Sequence, residues 1–192
     1  MTLKMRPIRR VVTGNDEQGL SGVIYDSYAP NVNIGTIAAS AGMTDIWVYE
    51  KLPAIVNGSR DDGNLPFSFD PPASGGHLRI VQSASKPPNY DPSQDTTAVP
   101  LHAPTLRKNG HTWDRGGQNA YSSPVHQSAT IDYGVMLTGK RTLILDDGHR
   151  ELLPGDVVVQ LANWHGWTNP TDTSLMAFIM MGGVGKQKAE DL

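Results

Sequence analysis

The sequence predicts an all-β protein, built as an antiparallel barrel or sandwich, on three observations. Residues 129–169 read as a succession of short strands separated by tight turns. No helical period lies between those strands, and short strands joined by tight turns pair antiparallel. The chain also carries 20 Gly and 14 Pro, a composition that favours turns over long helices.

Residues 9–13 read as a short strand, with 22–25 and 33–37 as further ones. Residues 45–50 are a stronger strand pattern, because β-branched and aromatic side chains dominate them. Residues 57–72 are polar, with Asp61-Asp62-Gly63 and Pro71-Pro72, and read as a loop. Residues 77–82 form the next strand. There, period two puts Leu78 and Ile80 on one face and Arg79 and Val81 on the other. Residues 83–124 are irregular and contain Pro87, Pro88, Pro92, Pro100 and Pro104. A connection of that length inside a compact domain is usually functional or disordered. If it folds over a barrel mouth, His111, Trp113, Asp114, Arg115 and Tyr121 are expected to face a ligand.

Residues 130–137 are the next strand, and Thr138-Gly139-Lys140 turns it back into 141–145. Asp147-Gly148 is a two-residue hairpin signal, since Gly tolerates the positive φ such turns need. Residues 151–153 follow, Pro154-Gly155 reverses the chain, and 157–160 and 164–169 complete the set. Met136, Met176, Met180 and Met181 fall on strand patterns and are expected to fill core gaps. Tyr133 alternates away from Asp132 and is expected to pack. The charged 186–192 tail is expected to be loose.

A chain of 192 residues suits one domain with a sizeable core. Sixteen basic and 19 acidic residues give a net charge of −3, with no basic run, so no nucleic-acid partner is expected. The absence of cysteine removes disulfide and thiolate chemistry and fits a cytoplasmic setting. Residues 1–10 are basic but no apolar run follows, so neither a signal peptide nor a membrane span is expected.

Two motifs carry a family resemblance. In the first, Ala120 stands at a leading glycine position and His126-Gln127-Ser128 where His-x-His is usual. Asp132 then occupies a glutamate position, and Gly139 follows. In the second, Gln160, His165 and Asn169 keep the spacing of Pro-x-Gly-x-x-His-x-x-x-Asn, preceded by a Leu153-Pro154-Gly155-Asp156 turn. Over residues 125–181 the chain resembles the cupin superfamily of small β-barrels. The resemblance implies a double-stranded β-helix, or jelly-roll, barrel in one domain over 1–192. Strands within 1–82 would pack on or extend the barrel, and 83–124 would lie near its mouth. It also implies a homodimer formed through N-terminal strands, and a site inside the barrel.

Carried over by position, His126, Asp132 and His165 would be the ligands of one divalent ion, with the poor ligand Ser128 at the fourth place. Two imidazoles and a carboxylate can hold Fe(II) with open sites for substrate and oxygen, or Zn(II) with a bound water; Mn(II) is a further candidate. The same residues have a reading without metal. The histidines can act as base and acid on one substrate, Asp132 fixing one ring. Both departures from the usual ligand set weigh towards that second reading.

The expected function is therefore a lyase or isomerase acting on a carbonyl-bearing or phenolic small molecule. A metal-dependent oxygenase is the alternative, and a non-catalytic small-molecule binder the second alternative. His126, Asp132 and His165 are the candidate catalytic residues, with Ser128, Gln160, Trp113 and Tyr121 the candidate substrate contacts. Asn169 is expected to support the fold, and Trp164 and Trp167 to pack beside His165.

Overall fold

The computed structural model describes residues 5–34, 41–169 and 172–184. β1 (Arg9–Asn15) and β2 (Ser21–Tyr28) pair as a separate hairpin. β3 (Val32–Ile34), β4 (Gly42–Tyr49) and β5 (Gly76–Ser83) follow. After a single 3-10 turn at Pro92–Gln94 come β6 (Thr105–Leu106), β7 (Thr112–Asp114) and β8 (His126–Ser128). The chain continues through β9 (Thr130–Thr138), β10 (Arg141–Leu145), β11 (Gly148–Leu152), β12 (Val157–Leu161), β13 (Gly166–Thr168) and β14 (Ser174–Gly182).

A six-stranded sheet runs in the order β12-β9-β14-β5-β4-β3, with every neighbouring pair antiparallel. Two three-stranded sheets, β11-β10-β13 and β6-β7-β8, face it. An antiparallel bridge joins these two: His126 N–H donates to the His165 carbonyl (2.8 Å) and His165 N–H to the His126 carbonyl (3.0 Å). Met43, Val81, Met136, Met176 and Phe178 of the large sheet pack against Leu143 and Trp167 of the β11-β10-β13 sheet. The result is an all-β jelly-roll barrel, as the sequence predicts.

The strands 9–13, 22–25, 45–50, 77–82 and those within 130–169 fall where expected, with ends shifted by a few residues. Of 33–37, the structure describes Val32–Ile34 as β3, and the remainder lies outside the described residues, as does the 186–192 tail. β3, β4 and β5 extend the large sheet. The β1–β2 hairpin instead attaches through Arg10, whose guanidinium bonds Asp61 (2.6 Å) and the Ile46 carbonyl.

Residues 83–124 are not one irregular loop. β7 pairs with β8 in register, Thr112 opposite Ser128 and Asp114 opposite His126, so the segment supplies strands to the barrel wall. Its prolines hid these strands, which hold only two or three residues each. Tyr133 lies on the outer face of β9, opposite in sense to Asp132 as expected, but is 38% exposed there and not packed into the core.

The β9–β10 turn depends on Gly139, whose φ is +72°. A Cβ there would lie 2.0 Å from the Thr173 carbonyl oxygen and 3.0 Å from the Ser174 Cα. Gly155, at φ +96°, would place its Cβ in open space. Gly139→Ala is expected to cost on the order of 3 kcal/mol, through strain plus a backbone clash, and Gly155→Ala about 1 kcal/mol from strain alone. Urea unfolding of the two variants beside the parent measures the difference.

Candidate functional site

Register carries polar side chains into the barrel. On the large sheet Gln160, Asp132, Met180 and His77 lie directly across from one another on β12, β9, β14 and β5. Period two along β9 turns Thr130, Asp132, Gly134 and Met136 inward and leaves Ile131 and Tyr133 outside. Across from Gly134 are Phe178 and, one strand further, Arg79, which opposes Asp45. On the facing wall β10 points Arg141 and Leu143 inward, and β13 contributes Trp167. The His126–His165 bridge sets two imidazoles side by side, their ring centroids 4.4 Å apart.

These side chains surround a cavity of about 510 Å³, a size that suits a small organic ligand. Its polar part holds His126, His165, Asp132, Gln160 and Arg141; Met43, Phe69, Val81, Trp167 and Phe178 give it apolar walls. Arg79 helps shape the rim. It bonds Asp45 (2.6 and 3.1 Å), the Phe69 carbonyl (2.5 Å) and the Ser68 carbonyl, which holds Phe69 and Asp70 against the cavity.

Both imidazoles are held by backbone. His126 Nδ1–H donates to the Pro124 carbonyl (2.9 Å) and His165 Nδ1–H to the Asn163 carbonyl (3.0 Å). A carbonyl only accepts, so the proton sits on Nδ1 and Nε2 keeps a lone pair. Burial pushes His126 down to about 4, with the Pro124 carbonyl opposing. His165 falls to about 3, through burial and the neighbouring His126. Both rings are thus neutral at pH 7. Asp132 moves the other way: burial raises it to about 6, with the Thr130 hydroxyl opposing. Its Oδ1 has no hydrogen-bond partner, and neither does Oε1 or Nε2 of Gln160 opposite.

The structure brings His126, His165, Asp132, Gln160 and Ser128 to one cavity. Ser128 is engaged there with Thr112, their hydroxyls 3.0 Å apart. Trp113 and Tyr121 do not line it. Trp113 alternates outward on β7 between Thr112 and Asp114 and is exposed. Tyr121 packs edge-on against Tyr90, and its carbonyl accepts from the Asn169 N–H (3.0 Å). Of the other residues expected near a mouth, Asp114 lines the cavity, whereas Arg115 pairs with Asp146 and His111 faces a different hollow. Asp132 fixes neither imidazole ring, a role the two carbonyls take. Trp167 is both core and cavity wall.

Sequence reasoning missed Arg79, Arg107 and Arg141, all of which line the cavity. Arg79 and Arg141 each sit inside a strand pattern at an inward position, a signal that period two alone could have exposed.

The donor set does not fit a metal centre. His126, Asp132 and His165 do not form a group that could hold an ion, and neither does any other set of three or more His, Cys, Asp or Glu among the described residues. Asp132 belongs to the sheet facing the two histidines, and the fourth position is a serine already bonded to Thr112.

No family model matches the chain. Shorter matches to curated proteins exist. The cupin-domain-containing oxidoreductase srdD of Neurospora crassa is 48% identical over 50 residues, 26% of this chain and 26% of that protein. The cupin-domain-containing oxidoreductase virC of Hypocrea virens is 40% identical over 60 residues, 31% of each. Phomopsin biosynthesis cluster protein D of Diaporthe leptostromiformis is 43% identical over 53 residues, 27% of this chain and 28% of that protein. The matches thus span about a quarter to a third of these relatives' length. Among solved structures, a cupin-2 domain protein from Rhodospirillum rubrum aligns with a TM-score of 0.41 at 10% identity, over 95% of this chain and 80% of that one. Fold and site define a jelly-roll barrel with a polar pocket inside it. Over these 50 to 60 residues the chain is similar to cupin-domain-containing proteins. No helix among the described residues is long and apolar enough to cross a membrane.

Asp132 makes the site costly to the fold. Its carboxyl binds a proton more tightly folded (about 6) than unfolded (3.8), so its contribution to stability is present below about pH 4 and lost as pH rises through 6. Asp132→Asn is therefore expected to be more stable than the parent at pH 7.5, by on the order of 2 kcal/mol, with the gap closing at pH 4. Urea midpoints at the two pH values check this; the histidines are common to both proteins and cancel.

Proposed function

We propose that the protein is an enzyme acting on a small organic molecule inside the barrel, through acid-base chemistry of lyase or isomerase type. The observation that carries this reading is the pair Asp132 and Gln160. They face each other in register inside the cavity, and Asp132 Oδ1 and both Gln160 amide atoms lack a protein partner. Buried polar groups left unpaired are costly and mark places where a ligand completes the bonding.

The roles follow from protonation state. A substrate carbonyl oxygen accepts a hydrogen bond from Gln160 Nε2. Asp132, titrating near 6, takes the proton from the adjacent carbon, and the electron pair moves to the carbonyl oxygen. The same carboxyl then returns the proton to another carbon, or to a departing hydroxyl, completing isomerisation or dehydration. The Nε2 lone pairs of His126 and His165 accept a hydrogen bond from a substrate hydroxyl and hold it in place.

A second reading, an oxidoreductase, is supported by the names that srdD and virC carry. Against it, the described residues do not assemble a metal site. A cytoplasmic setting belongs to the first reading and is supported by the absence of cysteine.

The test is proton exchange in D₂O on a panel of carbonyl-bearing and phenolic compounds, followed by NMR. Deuterium is expected to enter beside the carbonyl at a rate that rises with pH through about 6, as Asp132 ionises. Asp132→Asn, His126→Ala and His165→Ala are each expected to slow exchange by on the order of 100-fold. Parent rates in all three variants would place the site elsewhere. Oxygen uptake dependent on added Fe(II), without exchange, would favour the oxidoreductase. Tight binding with no turnover would leave a binder.

A homodimer is part of the proposal, through the outer face of β12 and β9 and not through the N-terminal strands. β12 is an edge strand, and the outer face it shares with β9 leaves Ile131, Tyr133, Leu137, Val157, Val159 and Leu161 exposed. Apolar patches of that kind mark association surfaces. Light scattering is expected to give twice the chain mass for the parent and the chain mass for a Val159→Lys, Leu161→Lys double variant. A monomeric parent would sink the dimer.

A further inference from the structure

We propose that Arg141 receives the anionic end of the ligand, and that this ligand is a monocarboxylate with a flat apolar body. The inference rests on the reading of the cavity as a substrate site and adds the class of molecule that enters it.

Two buried arginines line the cavity in opposite circumstances. Arg79, 3% exposed, is satisfied: Asp45 takes two of its bonds, and the Phe69 and Ser68 carbonyls take the others. Arg141, 4% exposed, has no such set. Its Nε and Nη1 lack any hydrogen-bond partner. Arg10, Arg79, Arg107 and Arg115 all form ion pairs, whereas among the described residues no carboxylate lies within ion-pair reach of Arg141. Burial lowers it to about 10, so it remains a cation at neutral pH. An unpaired buried cation is expensive, and a guanidinium presents parallel donors that match the two oxygens of a carboxylate.

The other acidic groups around the cavity do not fill that place. Asp114 is paired with Arg107 (2.7 Å). Asp70 accepts from Thr112 Oγ1 (2.7 Å) and from Asn109. Asp132, on the facing sheet, is raised by burial and lowered by no cation. One free guanidinium suits one negative charge, which favours a monocarboxylate over a dianionic phosphate.

The body of the ligand is set by what surrounds the charge. The rings of Trp167 and Phe178 lie 5.3 and 5.9 Å from the guanidinium and continue into the wall made by Met43 and Val81. A flat, conjugated acid would place its carboxylate on Arg141 and its body along this wall, within the space shared with Asp132 and Gln160.

Calorimetric titration of the full chain with benzoate, benzamide and inorganic phosphate tests the assignment. Benzoate is expected to bind at least 10-fold more tightly than benzamide, and more tightly than phosphate. Arg141→Met is expected to abolish the preference while melting no lower than the parent, since it removes an unpaired charge and keeps an apolar stem. Arg141→Lys, which keeps charge but not the fork, is expected to weaken benzoate at least 5-fold. Equal binding of benzoate and benzamide, tighter binding of phosphate, or an unchanged preference in either variant would overturn the proposal. Benzoate binding alongside an absence of proton exchange would refute the acid-base reading alone, so the two fail separately.

Discussion

The antiparallel backbone bridge between His126 and His165 is the contact on which the rest depends. Two hydrogen bonds fuse β6-β7-β8 to β11-β10-β13 and so close one wall of the barrel. The same bridge aligns two strands that are far apart in sequence, which makes the imidazoles neighbours by construction. Each ring is then pinned by a carbonyl two residues before it, Pro124 for one and Asn163 for the other. Tautomer and orientation are therefore set by the backbone, before any substrate arrives.

The large sheet works by a different device. Its direct cross-strand registers lay out rows of inward side chains, and the rows change character along the barrel. The row through Met136, Met176, Val81 and Met43 is core. The row through Gln160 and Asp132 is polar and incompletely bonded. Between them the row with Gly134 and Phe178 ends in the Arg79–Asp45 pair, a buried charge made tolerable by full hydrogen bonding. Arg141 and Asp132 are charges without that compensation. A barrel selected for stability alone would not keep them, because an unpaired buried charge costs several kcal/mol. That contrast is what separates the functional part of the interior from its structural part.

Much of the architecture was legible beforehand. Turn chemistry at Gly139, Gly148 and Gly155 marked the ends of strands whose interiors alternate, and all three residues have positive φ. Motif spacing drew His126, Asp132 and His165 together, and they share a cavity. Trp113 and Tyr121 were expected there because 83–124 read as a loop. Once Thr112–Asp114 is a strand paired to β8, alternation sends Trp113 outward. The error lay in the element, and the side chain followed it.

The sequence by itself determined the all-β class, most strand positions, and the two faces of β5 and β9, because period two and turn residues are local properties. Tertiary structure alone decided which wall each polar group occupies. It set Asp132 opposite Gln160 instead of beside the imidazoles, gave the ring nitrogens to carbonyls, paired Arg79 and left Arg141 alone. Those outcomes depend on strand order and register between distant segments, and on the loss of water around each charge. Neither quantity is written in the spacing of residues along one chain.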